Sequence, residues 1–131
     1  MDCATCGDET LLVSAPDLVA YLPGEPGTIA VCRTCLSVVP AEAEPVDDPA
    51  DVAALSTGLP DDPDTALALA LLVTLCESLA LYRSEIEELV ERIERAGVDP
   101  LSALDHLEND PSLDLALDVE RRRHQLVQLL G

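Results

Sequence analysis

From Asp62 onward the apolar positions of the chain fall into step. Leu72, Leu75, Leu79, Tyr82, Ile86, Leu89, Ile93 and Ala96 are separated by 3, 4, 3, 4, 3, 4 and 3 residues, the spacing of a heptad seam along one helix. Asp62-Pro63 supplies an N-cap followed by proline at the first helical position, and Gly97 sits where a C-terminal glycine belongs. The pattern therefore predicts one long helix over 63–96, about 50 Å from end to end. Its first part, with the apolar run Ala66–Cys76 interrupted only by Thr74, is apolar on nearly all sides and belongs at the centre of a core. Its second part, SEIEELVERIERAG, has a narrow stripe between charged flanks and needs cover on one face only.

Beyond the seam the same punctuation recurs. Asp99-Pro100 opens a short helix to Leu107, with Leu101, Leu104 and Leu107 on one face. Asp110-Pro111 ends it, and a final helix runs from about Asp114 to Leu130, with Leu115, Val119, Leu126 and Leu129 inward and Arg122 on the same stripe. Short connections favour antiparallel neighbours, so both should fold back on the long helix. Before the seam the period changes. TLLVS at Thr10–Ser14, TIAV at Thr28–Val31 and LSVV at Leu36–Val39 read as short strands, with one helical turn at Asp17–Leu22 ended by Pro23-Gly24. The expected class is α+β. Residues 1–40 form a small β-module, 41–62 a proline- and acid-rich linker with a short helix near Pro49–Leu55, and 63–131 an α-helical domain.

The strands alone are too few to make a stable unit, and this is where the cysteines matter. Cys3 and Cys6 lie in CATC, Cys32 and Cys35 in CRTC. Two residues between cysteines let a tight turn aim both sulfurs at one ion, and two such turns supply four tetrahedral ligands. Gly7, directly after Cys6, suits the positive φ of such a turn. The 1–40 module is thus expected to be a zinc ribbon holding one structural Zn²⁺ through Cys3, Cys6, Cys32 and Cys35. A rubredoxin-like iron site uses the same ligands, but Leu36 stands where such a site has glycine, and Tyr21 is the module's only aromatic. A closed four-thiolate site leaves no position for substrate, so its role is structural.

Composition sharpens the setting more than the fold. The 131 residues carry 26 acids against 7 basic residues, all arginine, for a net charge of −19, with 48% hydrophobic residues and no Phe or Trp. Disorder requires low hydrophobicity together with high charge, so the chain is expected to fold around an aliphatic core. Acids spread from Asp2 to Glu120 repel one another in dilute buffer. At 1 M salt the screening length shrinks to roughly 3 Å, which fits a halophilic cytoplasm. The opening MDCATC has no basic, apolar leader pattern, and cysteines without one favour metal over disulfides.

Taken together, the CATCG and CRTCL turns, the acidic proline linker, the stretch SLALYRSEIEELVERIERAGVDPLSALDHL and the ending DVERRRHQLVQLL resemble a family of small haloarchaeal zinc-ribbon proteins of unknown function. The resemblance spans nearly the whole chain. It implies a haloarchaeal origin and supports zinc at the four cysteines. It brings no activity and no catalytic residues.

Other reactive groups read as structural. Cys76, inside the apolar run, is a small core hydrophobe; His106 and His124 are isolated surface residues. No nucleophile–base set, phosphate loop or carboxylate pair stands out, so catalytic residues are none and the chain is read as a non-enzyme. Arg121, Arg122 and Arg123 could form a patch for an acidic partner or RNA, but folding onto Glu87, Glu88, Glu91 and Glu94 of the long helix is the simpler use. Two short helices cannot cover a helix of this length, so Ile86, Leu89 and Ile93 are expected to be left for another chain. The resulting reading is a cytoplasmic adaptor or complex subunit binding a protein partner, or a second copy, through the long helix. A nucleic-acid-associated ribbon (transcription or ribosome linked) and a small redox or metal-handling protein are the alternatives. The ribbon's single arginine argues against the first of these.

Overall fold

The computed structural model describes residues 2–4, 6–14, 27–115 and 119–130; the helical turn expected at Asp17–Leu22 lies outside them. Strands β1 (Thr10–Ser14), β2 (Thr28–Cys32) and β3 (Val38–Ala41) form an antiparallel sheet in the order β1-β2-β3. Thr10 faces Cys32 and Ser14 faces Thr28 across the first pair, and Val31 faces Val38 across the second. The central TIAVC strand is buried along its whole length. β3 starts two positions later than the LSVV run suggests, because Leu36 and Ser37 are used in the turn: the Ser37 carbonyl accepts the Cys32 N–H at 3.0 Å. Pro40 lies on this outer strand, where its missing N–H leaves no ladder bond unmade.

Five helices follow: α1 (Pro49–Ala53), α2 (Pro63–Cys76), α3 (Arg83–Arg95), α4 (Pro100–Glu108) and α5 (Val119–Leu130). Aspartate followed by proline starts three of them. Asp48 accepts the Ala50 N–H at 2.9 Å, Asp62 the Thr65 N–H at 3.2 Å and Asp99 the Leu101 N–H at 3.1 Å. Gly97 (φ +88°) closes α3 in a Schellman arrangement: its N–H reaches the Glu94 carbonyl, and the Val98 N–H reaches that of Ile93.

The long helix expected over 63–96 is two helices. α2 ends at Cys76, residues 77–82 form turns, and α3 begins at Arg83 without a side-chain cap from Tyr82. No proline or glycine marks the break. At the break the guanidinium of Arg122, far along the chain, donates to the Glu77 carbonyl (3.2 Å), satisfying one of the acceptors that a helix end leaves open.

Breaking the helix also changes what covers it. α3 folds back onto α2 and against α4, so Ile86, Leu89 and Ile93, expected to await another chain, are fully buried within this one. The estimate that two short helices could not cover the stripe assumed a continuous rod; folded as a hairpin, the rod covers itself.

A single aliphatic core joins sheet and helices. Leu11, Val13, Ile29, Val31, Leu36 and Val38 from the β-module pack in the same cluster as α2, α3 and α4. In α2, Ala66–Val73 are buried without interruption. Thr74, the one polar residue in the run, stitches the layers together. Its hydroxyl accepts the Val38 N–H at 2.9 Å and donates to the Ala70 carbonyl at 3.1 Å. The 41–62 stretch, a linker by composition, carries α1 and buries Val52 and Leu59 in this core. Asp47 of that stretch also accepts the Leu12 N–H at 2.9 Å, tying it to β1.

Candidate metal centre

The two cysteine turns come together at one end of the sheet. The first is a self-contained loop: the Cys3 N–H donates to the Asp8 carbonyl (2.7 Å) and the Gly7 N–H to the Cys3 carbonyl (2.9 Å). Gly7 sits at φ +82°, as its place after Cys6 requires. Asp2 and Glu9 pair across its base. The second turn continues directly from β2. The Thr34 and Cys35 N–H groups both point at Cys32 Sγ from 3.4 Å, donors suited to a sulfur carrying negative charge. Leu36 takes the position equivalent to Gly7, also with positive φ (+61°). The Thr34 carbonyl accepts the Asp114 N–H at 2.8 Å, linking this turn to the segment before α5.

The four sulfurs of Cys3, Cys6, Cys32 and Cys35 all lie within 4.8 Å of one another. Cys3 and Cys35 are 3.6 Å apart and Cys6 and Cys32 3.4 Å, far beyond a disulfide's roughly 2.05 Å, and all five cysteines are free thiols. A tetrahedral ion bound at about 2.3 Å to each sulfur would set them roughly 3.8 Å apart. The residues present thus fit one tetrahedral metal ion with little movement. Cys3, Cys32 and Cys35 are buried and Cys6 is exposed, so the set is open to solvent on one side only.

Electrostatics favour the same use. Burial pushes the Cys35 thiol up to about 12, against the lowering effect of Ser37, whose Oγ lies 3.1 Å away. At Cys6 a backbone hydrogen bond from Asp8 lowers the pKa, yet the facing Cys32 and desolvation leave it raised. Without a cation Cys6 and Cys35 therefore favour the thiol form. A dication reverses that preference, and its binding must expel protons.

The remaining candidates are placed as follows. Cys76 is fully buried, and desolvation raises its thiol to about 12 with Arg122 lowering it only in part, as a core cysteine requires. His106 and His124 are exposed. Two arginines of the cluster, Arg122 and Arg123, turn onto their own chain at groups other than the glutamates expected on α3. Arg123 pairs with Asp105 of α4 at 2.8 Å, and Arg122 donates to Gln125 Oε1 at 2.8 Å and to the Glu77 carbonyl. Arg121 is exposed. Near the sulfur cluster the sequence pattern leaves the parts played by Leu36 and Ser37 unmarked. The leucine was visible as a departure from the CATCG pattern, but its role was not.

Family comparison places this architecture without naming an activity. The chain belongs to the family of unknown function DUF6276, which matches residues 2–130. No curated protein and no solved structure matches it.

Proposed function

We propose that this family member is a non-enzymatic docking subunit of a halophilic cytoplasm, a compact zinc ribbon and helical module stapled by one structural Zn²⁺ at Cys3, Cys6, Cys32 and Cys35. The observation that carries the reading is the sulfur cluster: four donors within 4.8 Å satisfy a tetrahedral ion completely and leave no open position for water or substrate. The net charge of −19 disfavours nucleic acid as the partner, since phosphates would be repelled until salt screens them. Among the described residues no helix is long and apolar enough to cross a membrane.

Elemental analysis and affinity capture in molar salt test this reading together. The expected result is one zinc per chain and a stoichiometric protein partner that survives nuclease treatment. Nuclease-sensitive capture would favour the nucleic-acid alternative. A chain without zinc that cycles between dithiol and disulfide would favour the redox one.

A further inference from the structure

With the α3 stripe buried, the surface for docking must lie elsewhere. A groove of about 370 Å³ runs between the turn joining α2 to α3 and the C-terminal part of α5. Leu79, Ala80 and Leu129 give it apolar walls, and Arg83, Arg122 and Gln125 give it polar ones. No acidic side chain lines it, although 26 acids are spread over the chain. Arg122 is half-buried there, held by Gln125 and the Glu77 carbonyl, and neither contact neutralises its charge. A guanidinium has five donors, so donors remain for an incoming carboxylate. Arg83 has only an exposed pairing with Glu87 at 3.6 Å, a contact of little strength that is easily exchanged. Next in sequence to Ala80, Leu81 is 74% exposed.

The complementary feature is on the same molecule. Val46, 76% exposed, is the most exposed large hydrophobic residue described. It lies in the non-helical run Glu42-Ala43-Glu44-Pro45-Val46, and Glu42 and Glu44 are exposed. The run does not float. The Val46 and Asp47 N–H groups both donate to the Leu12 carbonyl, at 3.1 and 2.9 Å, and Asp47 accepts from Leu12 in return. Anchored on β1 at Val46 and Asp47, the run holds the valine outward, which reduces the ordering cost of binding, and sets the exposed carboxylates of Glu42 and Glu44 beside it in sequence.

We propose that Val46 and its acidic flank on one chain dock into the Arg83–Arg122 groove of a second copy. The inference rests on the reading of this chain as a docking subunit and specifies one partner and one surface for it. The contact is heterologous, plug to groove, so each chain offers one of each. High salt suits it: screening at roughly 3 Å removes the repulsion between two acidic chains and leaves the apolar plug as the main source of affinity. A plug of this size falls below the roughly 1,200 Å² of a stable interface, so the association is weak and concentration-dependent.

Sedimentation of the full, zinc-loaded chain in molar potassium chloride, over a wide concentration range, tests this. Wild type is expected to self-associate. Val46→Asp should weaken that by at least about tenfold, the worth of one buried valine, and Arg122→Glu by about fivefold, the upper worth of an exposed charge pair. Mixing the two variants should restore a one-to-one complex that grows no further, because one retains its groove and the other its plug. Arg122 also braces the end of α2, so Arg83→Glu, an exposed site, provides a second groove variant. A wild type that stays monomeric throughout, or association indifferent to Val46→Asp and Arg83→Glu alike, overturns the interface. Either result leaves the zinc and capture experiments to judge the docking reading separately.

Discussion

The two cysteine turns share a geometry but are held by different forces. Each ends in a residue with positive φ after its second cysteine, Gly7 in one and Leu36 in the other. Around Gly7 the backbone is exposed, and a Cβ built there would meet nothing within 4 Å. Leu36, by contrast, is fully buried within the main core cluster. A leucine in the left-handed region stores roughly 1–2 kcal/mol of strain that glycine avoids. Its side chain offsets that strain by anchoring the second turn in aliphatic packing. Among the described residues the first turn shows no comparable burial of a large side chain in that cluster. Its described attachments outside its own loop include the sulfur cluster and a backbone bond, Arg33 N–H to the Glu9 carbonyl at 3.2 Å. A metal at these sulfurs therefore acts as a staple, fixing a loose loop to a turn the core already holds.

Exchanging features between the turns should sharpen that contrast. Leu36→Gly relaxes the strain yet empties a core site, so a net loss of about 2–3 kcal/mol is expected by denaturant unfolding of the metal-loaded chain. An unchanged midpoint would mean that Leu36 anchors nothing. A smaller loss should follow Thr74→Val, which leaves the buried Val38 N–H without its acceptor: about 1–2 kcal/mol, with hydrogen exchange faster at Val38 than elsewhere in β3. Gly7→Ala should cost about 1 kcal/mol of strain. If an ion at the four sulfurs is the main tie between the first turn and the fold, that cost should appear as roughly fivefold weaker zinc affinity, with global stability of the apo chain unmoved.

The gentlest test concerns the helical side of the comparison. Burial raises the Cys76 thiol from its ordinary 9.0 to about 12. A raised thiol pKa stabilises the fold fully below pH 9.0 and loses that contribution as pH climbs toward about 12. Wild type should thus lose more stability across that alkaline window than Cys76→Ala, while alkylating reagents leave native Cys76 unmodified near neutrality. Rapid labelling of Cys76 in the folded chain would contradict its place in the core.

Much of this was legible in local chemistry. The CxxC spacing identified four residues whose sulfurs do converge, the Asp-Pro caps opened α2 and α4 where expected, and TLLVS formed β1 with the boundaries read from it. Gly97 closed α3 as a terminal glycine should. What escaped depended on residues distant in sequence. The seam from Leu72 to Ala96 counts positions on a helical face without recording that the helix breaks at 77–82. Its residues from Leu72 to Ile93 do face a core, while Ala96 is exposed; because the hairpin, the sheet and α4 build that core within one chain, Ile86, Leu89 and Ile93 need no partner to cover them. The acidic prolines of 41–62 suggested a spacer, and the packing of Val52 and Leu59 depends on a surface that only the fold creates. Leu36 stood out as an irregularity, and its strain makes sense only beside its burial.

These observations revise an expectation that follows from ribbon size alone, namely that removing metal should unfold all of residues 1–40. Because β1, β2 and β3 share the core with α2, only the first turn should depend wholly on the ion. Hydrogen exchange of the zinc-loaded chain, before and after chelation in molar salt, measures this directly. The account predicts that protection is lost at the first turn, including the Cys3 and Gly7 amides, while β2, β3 and α2 keep theirs. Loss of protection throughout the sheet and α2, or none at the first turn, would contradict it.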